Sequence, residues 1–429
     1  MKRERFLRLL LPLFIVMCPL AYAAESCDDG DISKYDEELS QKDWDVLYDY
    51  INTKRTINVL EKGCALTISG DVRADLRHAE EHQCERRLRG GSAKDSKNVP
   101  ISNFDWDVAF NLRFDYVCGR AWAVAHFEMD NTAGTTLNKA CEDDPSGLHG
   151  SGASCDLSLK KAYLGYNLCC NGCTRFDVEI GRRKLYQVFE SNVQFLSTFD
   201  GVLLRYDSCF DCWGDYYIKL AGFVVDEKVN HYAWVTELAM LDICDYGIDI
   251  KYSFIDWRKN GVNRCDTRDP VGTKFLVSQW TFCYRYMPDM LRVPTKLYAA
   301  VLINHDATPP TDSGMGKEDM AWYAGFTLGE VVYACDWALD CQFQWVEAYS
   351  VPDRDMSGIG NGNVLRQSVY QSPYTGNTNF YGFRVQALYA FTDNLSLDTR
   401  FEYSKNIIQI NDQQKHRFSQ VRVEAIYAF

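Results

Sequence analysis

The chain has 429 residues, with 46 basic side chains against 59 acidic ones, a net charge of −13 and 14% aromatic residues. An acid excess of this size argues against nucleic acid as a partner, because a polyanion binds basic surfaces. Past residue 23 no run approaches the roughly 18 consecutive apolar residues of a membrane-spanning helix, so any residence in a membrane must use strands or surface attachment.

At the N-terminus, Lys2, Arg3, Arg5 and Arg8 precede an apolar run from Leu9 to Leu20 and then Ala21-Tyr22-Ala23, a small-residue cleavage pattern. Residues 1–23 read as a secretory signal peptide. Met17 before Cys18 does not suit a lipoprotein site, and loss of the signal leaves a net charge of −16. Residues 24–63 hold an acidic stretch, followed by Trp44, Leu47, Tyr48 and Ile51 at the spacing of one helix face. This predicts an amphipathic helix over 40–54, placed in the periplasm or plugging a barrel from below.

From Ala65 the period changes to two. Leu66, Ile68, Val72, Ala74 and Leu76 oppose Thr67, Ser69, Asp71, Arg73, Asp75 and Arg77, and Phe104 to Tyr116 repeat the scheme. Such alternation predicts strands with one apolar and one wet face. Sixteen follow, near 65–77, 103–117, 121–130, 157–168, 175–183, 200–207, 215–225, 232–241, 247–257, 273–286, 296–305, 320–329, 337–350, 379–391, 395–405 and 416–429; several, notably the tenth and eleventh, alternate poorly. The connections alternate between long (78–102, 131–156, 184–199, 258–272, 306–319, 351–378) and short. Sorting of loops by side is expected of an all-β, transmembrane antiparallel barrel spanning 64–429, with long loops outside the cell and short turns in the periplasm.

The closing strand places Val421, Val423, Ala425, Tyr427 and Phe429 on one face and Gln420, Arg422 and Glu424 on the other. Its terminal aromatic, with Tyr427 before it, resembles the signal by which Gram-negative outer-membrane proteins are inserted. That resemblance implies the barrel-assembly machinery as a partner. Ile180-Gly181-Arg182-Arg183-Lys184, a loop, and Phe199-Asp200-Gly201-Val202 resemble the surroundings of the third external loop of bacterial general porins. Trp337 to Ala348, and the final hairpins with their Phe391-Thr392-Asp393-Asn394-Leu395 turn, are similar to porins of diverse Gram-negative bacteria. The resemblance implies an outer-membrane, water-filled channel for small hydrophilic solutes, surrounded by lipid and open to trimer formation. The rival expectation is a structural or adhesive envelope barrel.

Porin selectivity comes from fixed charge at the narrowest point. The expected constriction is the third external loop with Arg183, Lys184, Glu190 and Asp200. Arg73, Asp105, Asp107, Arg113, Asp115, Glu128, Arg205, Lys251, Arg384, Arg400 and Glu402 are expected to line the lumen.

Unlike general porins, the chain carries 17 cysteines, 16 of them after the signal. In an oxidising compartment they are disulfide candidates. Cys118, Cys169, Cys170, Cys173, Cys209, Cys212, Cys244 and Cys335 fall at short turns, while Cys141 and Cys155 bracket a long loop. Local staples are one expectation. The other is disulfide-linked envelope partners, which a likeness to the cysteine-rich porins of chlamydia-like bacteria implies. Cys170 to Cys173 and Cys209 to Cys212 also have zinc-site spacing, a weaker alternative to disulfides here. No phosphate loop, His-Glu-x-x-His helix or nucleophile elbow occurs. Among the histidines His126, His231, His305 and His416 are the candidate partners of a catalytic serine, and none sits beside a convincing serine and acid in sequence. No enzyme activity, cofactor or metal is expected.

Overall fold

Alternating strands leave their backbone polar groups to be satisfied by neighbours, and here each of the sixteen wall strands has two. The computed structural model describes residues 57–61, 64–83, 86–87, 103–133, 156–210, 213–226, 231–259, 274–288, 293–308, 316–352, 355–359, 378–408 and 416–429. The predicted helix over 40–54 and the signal over 1–23 lie outside them.

Sixteen strands form the wall: β1 Cys64–Gln83, β2 Phe104–Cys118, β3 Ala121–Ala133, β4 Asp156–Asn171, β5 Thr174–Lys184, β6 Thr198–Phe210, β7 Gly214–Asp226, β8 His231–Leu241, β9 Ile248–Lys259, β10 Phe275–Tyr286, β11 Thr295–Asn304, β12 Met320–Gly329, β13 Trp337–Val346, β14 Phe380–Ala390, β15 Leu395–Asn406 and β16 His416–Ala428. Each pairs antiparallel with the next, and β16 pairs with β1 from His416↔Gln83 to Ala428↔Asp71, which closes the barrel and removes every free edge. The short segment Ile57–Glu61 pairs with Cys64–Ile68 of β1. It sits end to end with β16 along one edge of β1, because Phe429 already exchanges hydrogen bonds with Gly70.

Connections at the end that carries the C-terminus are short (119–120, 172–173, 211–213, 391–394), and those at the opposite end are mostly long (84–103, 134–155, 347–379). The thirteenth strand stops at Val346 rather than at 350, since Ser350 turns back to donate from both its N–H and its hydroxyl to the Glu347 carbonyl.

The outer face is an apolar band. Val72, Leu164, Ile180, Val202, Leu238, Val301 and Val421 are exposed along it, and Tyr116, Phe210, Trp213, Trp337, Phe391 and Tyr427 ring the terminal end. A hydrocarbon-facing belt flanked by an aromatic girdle is how a barrel meets a bilayer and its interface.

Two disulfides between described residues staple the terminal end. Cys64–Cys118 joins β1 to β2 at directly opposed positions, with Cα atoms 4.3 Å apart, and Cys173–Cys209 joins the β4–β5 turn to the end of β6, with Cα atoms 5.8 Å apart. Cys170 is also disulfide-bonded. Cys169, Cys244 and Cys335 carry thiols, the last two exposed. Cys141, Cys155 and Cys212 lie outside the described residues. Cys64, absent from the expected set, forms a bridge because it opposes Cys118 in register.

Candidate functional site

The connection from β5 to β6, residues 185–197, turns into the barrel instead of away from it. Its apolar side chains Leu185, Val188, Phe189, Val193 and Phe195 are buried in one cluster with Phe223, Val235, Ile255, Val277, Leu302 and Phe380 from the inner wall. A loop that enters a barrel must find partners for its backbone groups, and successive strands supply them. Lys219 of β7 donates to the Val188 carbonyl at 2.6 Å, Glu237 of β8 accepts from the Glu190 N–H at 3.3 Å, Gln279 of β10 donates to the Glu190 carbonyl at 2.7 Å and Gln344 of β13 donates to the Asn192 carbonyl at 2.8 Å. The Glu190 carboxylate pairs with Lys251 of β9 and lies 4.0 Å from Lys296 of β11. Val351, Met356 and Ile359, from the long β13–β14 connection, join the same cluster.

The other half of the inner wall is charged and layered. Arg400 of β15, Arg422 of β16 and Arg77 of β1 are in register on adjacent strands. One inward position closer to the terminal end, Asp398, Glu424, Asp75 and Asp107 form a matching row of acids. Like charges opposite one another on neighbouring strands repel, and each row stabilises the other. Arg422 reaches Asp75 at 3.0 Å and Glu424 at 3.2 Å, Arg77 reaches Asp75 at 2.5 Å and Asp107 at 3.1 Å, and Arg400 lies 3.8 Å from Asp398. Arg384 of β14 binds Glu402 at 2.9 Å. Between the two halves lies a space of about 270 Å3, which Arg77, Arg384, Arg400 and Arg422 border on one side and Tyr186, Glu190, Ser191 and Asn192 of the inward loop on the other. Asp340, which accepts from Tyr298 at 2.8 Å and Thr327 at 2.8 Å, also borders it.

Of the expected constriction residues, Glu190 is at the inner tip of the loop. Arg183 pairs with Glu179 and lies over the Tyr163 ring at 4.3 Å, and Lys184 lies 5.2 Å from the Tyr186 ring. Asp200 is elsewhere: it binds Arg182 at 2.7 Å on the exposed outer face, in line with Ile180 and Val202. Glu190 is therefore the loop acid nearest the arginine row. Arg73, Asp107, Arg113, Asp115, Glu128, Arg205, Lys251, Arg384, Arg400 and Glu402 all sit on the inner face in ion pairs, such as Arg73–Asp71 at 2.6 Å and Arg205–Asp207 at 2.8 Å. The Asp105 side chain lies outside the described residues. Sequence reasoning placed Arg77 and Arg422 on polar faces without assigning them to the lumen. A usable signal is an acid and an arginine two residues apart within a strand, as in Asp75-x-Arg77, Asp398-x-Arg400 and Arg422-x-Glu424.

The two Cys-x-x-Cys pairs do not form a four-thiolate site, because Cys173 and Cys209, one from each, are bonded to each other. No metal-binding cluster occurs among the described residues. His126 meets Asn111 at 3.0 Å, His416 is buried, and the His231 side chain lies outside the described residues. His305 Nε2 lies 2.7 Å from Ser278 Oγ, but among the described residues no carboxylate meets its second nitrogen to orient it.

No protein-family model and no curated protein matches the chain. Among solved structures, OprB of Pseudomonas putida at high pH is similar over 85% of this chain and 94% of its own, at 10% identity and a TM-score of 0.50. The outer membrane channel DcaP of Acinetobacter baumannii matches 86% of this chain and 99% of its own, with 12% identity and a TM-score of 0.46. OmpF of Salmonella typhi, in complex with daunomycin, matches 87% and 100%, with 12% identity and a TM-score of 0.45. At this identity the likeness to OprB is one of fold, and the chain has a porin-type barrel.

Proposed function

We propose that the protein is an outer-membrane porin, a channel through which small hydrophilic solutes diffuse passively. The long connections would face outside the cell and the stapled turns the periplasm. The observation that carries this reading is the space of about 270 Å3 bordered by the arginine row on one side and by Glu190 on the other, with the inward loop as the constriction. Opposed fixed charges across a narrow, low-dielectric passage orient dipolar solutes and sort ions, whereas charges on an outer loop would be screened within about 8 to 10 Å. Lipid, the barrel-assembly machinery and further copies of the chain would be its partners in the membrane. A periplasmic segment would precede the barrel after a signal over 1–23, and its last part, Ile57–Glu61, pairs with β1.

Reversal potentials in a salt gradient test the assignment of the wall charges. Arg400→Gln with Arg422→Gln should move selectivity toward cations, and Glu190→Gln should move it toward anions. A channel whose selectivity ignores both changes would show that the solute path runs elsewhere.

A further inference from the structure

We infer that the segment Pro352 with Asp355 to Ile359, from the β13–β14 connection, is a strap that positions the constriction loop, with Asp355 as the residue that couples the two. The inference rests on reading loop 185–197 as the constriction. Asp355 is fully buried, and its carboxylate accepts the N–H groups of Phe195 at 2.9 Å and Ser197 at 3.0 Å, while its own carbonyl accepts from Leu196 at 3.1 Å. Three consecutive loop amides thus end on one strap residue. Ser357 continues the contact, donating its N–H to the Val193 carbonyl at 2.8 Å and its hydroxyl to the Gln194 carbonyl at 3.0 Å. The strap is fixed to the wall in turn, since the Ile359 N–H donates to Gln344 Oε1 at 3.0 Å, and the same Gln344 donates to the Asn192 carbonyl of the loop.

Loop backbone geometry shows why a clamp is needed. Phe195 is buried with φ of 77°, a left-handed conformation that a bulky residue adopts only where its surroundings hold it. The amides of Phe195 and Ser197 flank the bend, and the buried carboxylate that accepts both is what fixes it. Without that carboxylate the bend loses two charge-assisted bonds, and the loop can leave its single position. Met356 and Ile359 anchor the strap in the apolar cluster beneath, so the loop lies between wall and strap.

Asp355→Ala in the full-length protein tests the coupling, with Gly358→Ala as a second, milder variant. A Cβ at Gly358, where φ is 100°, would come within 2.6 Å of the Asn192 carbonyl oxygen and push strap and loop apart. Two readouts are used on refolded, heat-modifiable barrel: chymotrypsin cleavage after Tyr186, Phe189 or Phe195, and single-channel recording. The expected result is an uncut loop and one open level in the parent, with cleavage and additional sublevels in both variants. Folded variants whose loop stays uncut and whose current keeps the parental single level would overturn the strap. Cleavage in the variants with no current from any protein, parent included, would support the strap and remove the channel reading.

Discussion

At the scale of single residues, the C-terminal aromatic has a prepared seat. Gly70 faces outward on β1, and a Cβ there would lie 2.8 Å from the Phe429 ring, so glycine is what lets the ring lie flat on the wall, stacked at 6.1 Å on Phe110. The final amide and carbonyl pair with Gly70 as well. Loss of the ring or of its seat removes this packing and these two hydrogen bonds, which misplaces the end of the closing strand. Gly70→Val should therefore lower the yield of heat-modifiable barrel about as much as deletion of Phe429 does. Equal yields from parent, Gly70→Val and the deletion would show that neither the ring nor its seat guides assembly.

At the scale of elements, the disulfides divide the cysteines by role. Cys64–Cys118 and Cys173–Cys209 hold adjacent elements of the terminal rim, and a staple of this kind contributes about 2 to 4 kcal/mol. The thiols of Cys244 and Cys335 stand exposed on two other turns of the same rim, where a partner protein could reach them. Serine at Cys173 and Cys209 should lower the temperature of heat modification without changing the migration of the folded band. Serine at Cys244 and Cys335 should remove any high-molecular-weight species from envelopes run without reductant. Monomeric migration of the parent without reductant would reduce the exposed thiols to bystanders.

The same scale shows what the sequence makes legible. Most of the sixteen strands are readable from period two, because lipid outside and water or charge inside impose it. The tenth and eleventh alternate poorly for a physical reason: Val277 and Leu302 face inward against the inward loop, so apolar side chains interrupt the polar inner faces of β10 and β11. Nothing local marks that loop as the occupant. The pairing of Asp200 with Arg182 on the outer face, the in-register rows of arginine and acid, and the contact of Asp355 with residues about 160 positions away depend on three-dimensional register, which one sequence does not display.

At the scale of the whole molecule, the barrel is divided lengthwise. From β6 to β14 the inner wall supports a packed apolar core with the inward loop and the strap, and from β14 through β16 to β2 it carries a layered charge lattice. A sixteen-stranded wall is wide enough to leave an aqueous channel, and filling one side confines that channel to the charged side. This remaining passage is expected to conduct. The most direct test is single-channel recording of the purified, refolded protein in planar lipid bilayers. Discrete, ohmic steps are expected, with a conductance that rises when residues 186–196 are replaced by a short glycine-serine turn. Folded barrel that inserts and yet passes no current, with the loop present or removed, would contradict it and leave a structural or adhesive envelope protein.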